Sequence, residues 1–227
     1  FILDSWFTSR GLYLLHAAAL GDHRGAVLLV GAGGSGKSST ALAALKSELN
    51  YLSDDYVLFD PGYRSVHGIY SSAKTDLPGL ARMPFLKGKI AYHPQTPDEK
   101  GLLFIHESFP HKIFNYSAMV RAIVCPELAG NASGLNSIAP AKALKALAGS
   151  TVLQSSRPSS SALHVMARLV GQCPAYRLQL TADAKSAVNE LASLLPDDNA
   201  TKSPKVSVII PAYNPGVFLA EALHSIL

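Results

Sequence analysis

One glycine-rich segment has the residue types and spacing of a phosphate-binding site. Gly31 to Ser38 reads GAGGSGKS and fits the pattern G-x-x-x-x-G-K-[ST] without a mismatch. Glycines let the backbone curl so that N–H groups point at phosphates, and a helix that begins near Ser38 adds partial positive charge. Lys37 can then reach the β- and γ-phosphates, while the Ser38 hydroxyl can bind Mg²⁺. We therefore expect ATP and Mg²⁺ as ligands.

Two adjacent carboxylates follow this loop. Asp54 and Asp55 interrupt the apolar, strand-like run 51–59, 17 residues after Lys37. Adjacent strand residues point to opposite faces, so the pair must lie near the end of a strand or in a bend. Buried acids require a compensating cation or hydrogen bonds. One interpretation gives Asp55 to Mg²⁺ and makes Asp54 the base that takes the proton of an attacking hydroxyl; the alternative is a surface turn with solvated acids.

The order of these motifs resembles the catalytic core of the HPr serine kinase/phosphorylase family. The three segments are LLHAAAL, which we expect to be a strand carrying His16, then GAGGSGKSS, then LSDDYVLFD, all within residues 12–60. A lone histidine in an apolar strand is more often a core residue, but in this family a strand histidine precedes the phosphate loop by about this distance. The resemblance implies an α/β, phosphate-loop kinase related to phosphoenolpyruvate carboxykinase, with a mixed sheet and flanking helices.

The resemblance also implies roles for individual residues. Asp54 would be the catalytic base, with Lys37 contacting phosphate and His16 supporting the site. Ser38 and Asp55 would bind the metal. The nucleotide would be held by residues of the loop and the turn after it, namely Gly33, Gly34, Ser35, Gly36, Lys37, Ser38 and Ser39. Members of the family are often hexamers, so a homo-oligomer is one state that the resemblance allows.

The chain departs from the family after the aspartates. Members that phosphorylate HPr carry an E-[IV]-R-G motif there, whereas this chain has DLPGLAR at 76–82. HPr is therefore not the expected acceptor, and the chain looks more like divergent relatives that resemble kinases of a serine in a ribosomal peptide. Lysines and arginines that could contact the transferred phosphoryl group, with the first two favoured because they flank the variable loop, are Lys74, Arg82, Lys100, Arg121 and Arg157.

Hydrophobic patterning predicts an alternation of strands and helices. We expect strands at 12–20, 26–30, 51–59, 64–70, 101–106, 119–125 and 175–180. We expect helices at 39–49, 140–148, 162–171 and 183–195, the last capped by Asp183, and a long loop at 76–100. These elements form one ATP-binding domain over residues 1–195.

The composition changes after residue 195. The segment 196–204, PDDNATKSP, is polar and has the composition of a linker. The next residues, VSVIIPAYN at 206–214, resemble the opening strand of family 2 glycosyltransferases with the GT-A fold, of which 205–227 would be an N-terminal fragment. We therefore expect a parent protein that joins a kinase to a glycosyltransferase.

Composition excludes several classes of protein. The chain of 227 residues is 48% hydrophobic and 16% charged, as expected for a globular α/β protein, and its 20 Lys and Arg form no run that would predict nucleic-acid binding. Cys125 and Cys173 have neither metal-ligand spacing nor a disulfide pattern, and no apolar run reaches the length of a membrane span. We expect a cytoplasmic protein with two buried thiols.

Three functions fit these observations. The first is a kinase that transfers the γ-phosphoryl group of ATP to a hydroxyl, such as a serine in a peptide or protein. The second is the same chemistry with a sugar or another small alcohol as acceptor. The third is a non-catalytic ATP-binding module that regulates the attached transferase, which would not require a base beside the γ-phosphate.

Overall fold

The structure is a computed structural model in which residues 2–96, 99–114, 117–128, 133–154, 160–181 and 184–197 are described. Residues 1–197 form one compact unit. The linker at 196–204 falls almost wholly, and the glycosyltransferase-like segment wholly, outside the described residues, so both stay predictions. Arg157 and Asp183 lie outside them as well.

The compact unit is a mixed α/β structure, as predicted. The strands are β1 Tyr13–Leu15, β2 Ala18–Asp22, β3 Gly25–Leu29, β4 Asn50–Ser53, β5 Val57–Asp60, β6 Ser65–Gly68, β7 Ser72–Thr75, β8 Gly101–Phe104, β9 Ala118–Leu128, β10 Gly134–Ser137 and β11 Ala175–Leu180. The α-helices are α1 Ile2–Thr8, α2 Lys37–Ala43, α3 Leu77–Arg82, α4 Ile105–Ser108, α5 Pro140–Gln154, α6 Ser160–Gln172 and α7 Ala184–Ala192. Short 3-10 helices occupy Ala44–Lys46, Pro84–Leu86 and Pro110–Lys112.

Nine strands form one mixed sheet, and β7 and β8 pair separately as a two-stranded ribbon. Within the large sheet, β2 lies between β3 and β4 and is antiparallel to both. On the other side of β3, β9 runs parallel to it, and β11 runs parallel to β9. Therefore β3, β4, β9 and β11 all run in the same direction, and their carboxyl ends lie at one edge of the sheet.

The central strands are buried on both faces, so their residues alternate between two apolar cores. Val27 and Leu29 of β3 enter a core that includes residues of α2, α7 and the ribbon. Ala26 and Leu28 enter the opposite core, which includes residues of α5 and α6. A strand that is covered on both faces reads as a continuous apolar run, and this explains the sequence of β3.

The hairpin between β2 and β3 is tight, as the GDHRG segment predicts. Asp22 pairs with Gly25 across a two-residue loop, and its carboxylate accepts the backbone N–H of Arg24 at 2.8 Å. The Arg24 guanidinium returns to the same carboxylate at 2.7 Å. This side-chain contact closes the turn that joins two fully buried strands.

Several expected elements are wrong in their extent. The run 12–20 is two strands, β1 and β2, because His16 and Ala17 turn the chain from one set of partners to another. The helix expected at 39–49 is α-helical only to Ala43, and Ser47 ends its 3-10 extension by bonding the carbonyl of Ala44 at 2.9 Å. The segment 76–100 is not a bare loop, since it contains α3, which the Asp76 carboxylate caps at the Gly79 N–H.

The middle and end of the chain also differ from expectation in detail. The ribbon strand β7, the strand β10 and the helix α1 were not predicted, and the last two residues of 101–106 belong to α4. The expectations for β9, β11, α5, α6 and α7 are confirmed to within a few residues, apart from a longer C-terminal half of α5. Cys125 and Cys173 are buried free thiols, also as expected. None of the described helices is long and apolar enough to cross a membrane.

Close packing of the β2–β3 hairpin predicts a large effect of Gly21→Ala. A Cβ at Gly21 would collide with the backbone carbonyl of Gly25 on the paired strand, and two backbones cannot separate without loss of ladder bonds. We expect a loss of about 2 kcal/mol or more in the free energy of unfolding, measured by chemical denaturation. Gly149→Ala in α5 is the matched control, because its Cβ would meet no atom within 4 Å. That variant should be neutral or more stable by up to about 1 kcal/mol; equal losses in both variants would contradict the prediction.

Candidate functional site

The three segments that sequence analysis selected meet at one edge of the sheet. The glycine-rich loop, residues 30–36, follows the carboxyl end of β3, and Asp54 and Asp55 follow the carboxyl end of β4. Because β2 is antiparallel to both strands, its amino end lies at the same edge, and His16 lies two residues before that end. The strand order therefore brings together the loop, the carboxylates and the histidine from a stretch of 40 residues, 16–55.

Left-handed backbone and close packing shape the glycine-rich loop. Gly31, Gly34 and Gly36 have φ angles of 146°, 79° and 101°, a region that side chains disfavour. A Cβ at Gly36 would also collide with the Leu180 side chain at the end of β11. Leu180 therefore packs directly against the backbone of the loop at Gly36. All the loop residues predicted to bind nucleotide lie in this turn, and Lys37, Ser38 and Ser39 form the first turn of α2.

Lys37 folds back over the loop that precedes it. Its ammonium donates to the carbonyl of Gly31 at 2.6 Å and to that of Ala32 at 3.0 Å. The side chain is buried, and burial lowers its pKa, an effect that Asp54 and Asp55 oppose. A cation thus lies beside the loop's inner surface and close to both carboxylates.

Asp54 is the buried carboxylate of the pair. It is 2% exposed, and its Oδ1 accepts a hydrogen bond from the Ser38 hydroxyl at 3.1 Å. Its Oδ2 is buried and has no hydrogen-bond partner among the described residues. Burial, and next the charge of Asp55, raise the pKa of Asp54 to about 6, while the bond from Ser38 lowers it. At neutral pH the group is a charged carboxylate with one oxygen left to bind a proton or a cation.

Asp55 differs from its neighbour in backbone and exposure. The two acids lie in a bend between β4 and β5, as the alternation of strand residues requires, and Asp55 has a left-handed φ of 65°. Aspartate is among the few residues that tolerate this region. The Tyr56 N–H bonds to the Asp54 carbonyl at 2.8 Å and tightens the bend. Asp55 Oδ2 then lies 3.4 Å from the Lys74 ammonium, in a partly exposed ion pair.

His16 lies in the break between β1 and β2, and not within a strand as expected. Side chains of α5 hold its backbone: its N–H donates to the Thr151 hydroxyl at 3.1 Å, and its carbonyl accepts from the Ser150 hydroxyl at 3.3 Å. The ring packs edge-on against Tyr56 with centroids 5.6 Å apart. Burial, and next the charge of Lys37, lower the pKa of His16, so the imidazole is neutral at pH 7.

Four of the five candidate cations lie among the described residues, and Arg157 lies outside them. Lys74 contacts Asp55, and the positive charge of Lys100 contributes to the lowered pKa of Lys37. Arg82, at the end of α3, has no ion pair or hydrogen bond with the site in the described part of the chain. Arg121 donates to the Arg24 carbonyl at 2.8 Å, near the start of β3 and hence at the opposite edge of the sheet.

Two residues at this edge were missed. Leu180 touches Gly36 only because β11 runs parallel to β9 and β3, and no local pattern reveals that topology. Tyr70 precedes the ribbon; burial, with the charges of Asp55 and Asp54, raises its pKa well above the usual range. Tyr70 lies in an irregular segment between two short strands, so the sequence there has no periodic pattern that would have marked it as a site residue.

The oxygen donors at this edge suit Mg²⁺. This cation takes one or two carboxylates and completes its shell with water and phosphate oxygens, so it needs no cage of protein ligands. The described residues contain no cluster of three or more His, Cys, Asp or Glu that could hold a metal by itself. The Asp54 carboxylate, which the Ser38 hydroxyl contacts at 3.1 Å, and the carboxylate of Asp55 next to it in the chain are hard oxygen donors of the kind that this cation binds.

The chain has structural similarity to a solved kinase but no match among family models or curated proteins. No family model and no curated protein matches the chain. One solved structure to which the chain is similar is the Hpr(Ser) kinase/phosphatase from Coxiella burnetii, with 11% sequence identity and a TM-score of 0.38, covering 78% of this chain and 91% of that chain. At this identity and TM-score, the functional interpretation rests on the residues of the site itself.

The buried charge of Asp54 predicts that Asp54→Asn stabilises the fold. Asp54 has a folded pKa of about 6, above the ordinary value of 3.8, so the folded protein binds the proton more tightly and loses stability as pH rises between those values. The Asn variant lacks that loss. We expect its advantage in the free energy of unfolding to be absent below pH 4 and to reach about 3 kcal/mol above pH 6.

Chemical denaturation of both proteins across that pH range measures the difference. Asp60→Asn, at the partly exposed end of β5, is the matched control for removal of one carboxylate charge, and the advantage of Asp54→Asn above pH 6 should exceed any difference that this control shows. A constant or shrinking advantage for Asp54→Asn would show that Asp54 does not carry a destabilising charge.

Proposed function

We propose that the chain is an ATP-dependent kinase that transfers the γ-phosphoryl group to a hydroxyl, such as a serine of a peptide or protein. The observation that carries this proposal is the contact of Asp54 with Ser38 beneath the glycine-rich loop. In this proposal the second oxygen of that buried carboxylate, which has no hydrogen-bond partner among the described residues, serves as the base for the acceptor hydroxyl. A base with a pKa of about 6 is ionised at pH 7 and accepts a proton readily.

Each residue of the site has a role in this proposal. The N–H groups of the glycine-rich loop and the Lys37 ammonium bind the β- and γ-phosphates. Ser38 and Asp55 hold Mg²⁺, which neutralises phosphate charge when it is bound. Asp54 orients the acceptor hydroxyl through its second oxygen. Neutral His16 packs against Tyr56 and supports the bend that carries the two aspartates.

The chemical step balances without another reactant. As the acceptor oxygen forms its bond to the γ-phosphorus, the bond from that phosphorus to the β–γ bridging oxygen breaks and ADP leaves. The acceptor proton passes to Asp54, which lies in a buried setting that excludes bulk water. Positioning and charge neutralisation supply most of the rate, since the transition state needs little covalent help.

Transfer of label from γ-labelled ATP with Mg²⁺ tests this function directly. The acceptors are serine peptides, HPr and simple sugars, which also separate a peptide kinase from a small-alcohol kinase. We expect transfer to a serine peptide, and we expect Asp54→Asn to reduce it by about 10³-fold or more while nucleotide binding persists. Lys37→Met should abolish nucleotide binding itself.

Two further outcomes test the roles of the carboxylates and the choice between a kinase and a regulatory module. Asp55→Asn should raise the Mg²⁺ concentration required for half-maximal rate, whereas Asp54→Asn should not; the reverse result would exchange the roles of the two carboxylates. Tight nucleotide binding without transfer to any acceptor would contradict the kinase and favour a regulatory module.

The raised pKa of Asp54 also predicts the pH dependence of the reaction. A base must be ionised, so kcat/KM should rise tenfold per pH unit below about 6 and level off above it. A pH–rate profile of the unmodified protein provides the measurement, with each rate corrected for the fraction of ATP·Mg²⁺ that is fully ionised at that pH. A profile that is flat from pH 5 to 8 would exclude Asp54 as the base.

A further inference from the structure

The ribbon of β7 and β8 has one buried face and one face that carries lysines. Ala73 and Thr75 of β7, and Leu103 of β8, are buried in the core on the side of α2. Alternate residues of a strand point to opposite faces, and Lys74 lies opposite Leu102 in the register. Lys100 directly precedes β8 and shares the parity of Leu102. Lys74 therefore lies on the exposed face of the ribbon, and the exposed Lys100 lies next to its end.

Packing fixes this ribbon beside the glycine-rich loop. Helix α2, whose first residue is Lys37, packs against β7. The hydroxyl of Tyr51, a buried residue of β4, donates to the Ser72 carbonyl at 2.7 Å and joins the start of β7 to the strand that precedes the aspartates. The ribbon is thus held to both segments that form the site.

Both lysines act on the site across this junction. The Lys74 ammonium lies 3.4 Å from Asp55 Oδ2. Lys100 lies close enough to Lys37 for its charge to help lower the pKa of that ammonium. Three ammonium groups and two carboxylates consequently share the edge of the sheet. The carboxylates offset part of this positive charge, and a phosphate group bound at the glycine-rich loop beside the Lys74–Asp55 pair would offset more of it.

We propose that Lys74 and Lys100 bind the terminal phosphate of the nucleotide from the ribbon side, opposite the glycine-rich loop. This inference rests on the proposed function and adds two residues to it. Of the other candidate cations, Arg82 has no ion pair or hydrogen bond with the site in the described part of the chain, Arg121 lies at the opposite edge, and Arg157 lies outside the described residues. Lys74 would leave Asp55 to the metal as it turns to phosphate.

A contact with the terminal phosphate distinguishes ATP from ADP. The loop and Lys37 hold the β-phosphate of either nucleotide, whereas Lys74 and Lys100 meet only a group that ADP lacks. Charge-assisted hydrogen bonds to phosphate are among the stronger polar contacts, although solvent weakens them at exposed side chains such as these. The two lysines should therefore affect the ratio of the two affinities more than the affinity for ADP.

Calorimetric titration of the full chain with a non-hydrolysable ATP analogue and with ADP, both with Mg²⁺, tests this without knowledge of the acceptor. The unmodified protein should bind the ATP analogue more tightly. Lys74→Gln and Lys100→Gln should each weaken that binding about fivefold or more and change ADP binding less than about twofold. Arg82→Gln, which removes a charge from the same region, is the matched control and should change neither affinity.

The outcomes separate this inference from the proposed function. If the unmodified protein binds neither nucleotide, the proposed function fails and this inference with it. If it binds both, and Lys37→Met abolishes binding while the two ribbon variants keep the ratio of affinities, the proposed function stands and this inference is overturned. An equal loss of ATP analogue in Arg82→Gln would also overturn it, since general charge would then explain the effect.

Discussion

The whole site depends on one topological constraint: β2 runs antiparallel between β3 and β4. Since strand spacing is about 4.8 Å, this arrangement sets the carboxyl ends of β3 and β4 roughly 10 Å apart at the same edge. The glycine-rich loop, the aspartates and His16 have no need of long connections to meet there. Register is fixed because β2 and β3 are buried on both faces, and a slip by one residue would exchange the two cores. Apolar packing thus determines where the charged groups lie.

That position has a cost, which falls on Asp54. Burial of an ionised carboxylate at the edge of the sheet is unfavourable because the charge loses its hydration. Only one oxygen of Asp54 has a hydrogen-bond partner among the described residues, the Ser38 hydroxyl. Nearby Lys37 reduces the cost but is itself held by the carbonyls of Gly31 and Ala32. Proteins commonly accept such destabilisation where function requires it. The bend after β4 adds strain at the left-handed Asp55, whose partly exposed carboxylate pairs with Lys74.

Sequence was a good guide where local chemistry and burial coincide. The apolar run of β3 followed by glycines predicted a strand and a tight loop, and two acids in an apolar run predicted a bend, because each pattern has few other physical solutions. Where tertiary contacts decide, sequence was a poor guide. His16 lies in a break that Ser150 and Thr151 stabilise from about 135 residues away. The strand β7, SAKT, is short and polar, and it is a strand only because β8 pairs with it and α2 covers it.

Three lysines and two aspartates interact at this edge of the sheet, and a bound anion would offset the excess positive charge. Lys37 is attracted to Asp54 and Asp55 and repelled by Lys100, so the four groups are not balanced pair by pair. Lys74 joins them through Asp55, from a ribbon whose opposite face is anchored in the core. Because the lysines come from two separately packed elements, α2 and the ribbon, a phosphate between them would be held from two sides. If Lys74 and Lys100 bind the terminal phosphate as proposed, the ribbon is part of the site and not only its neighbour.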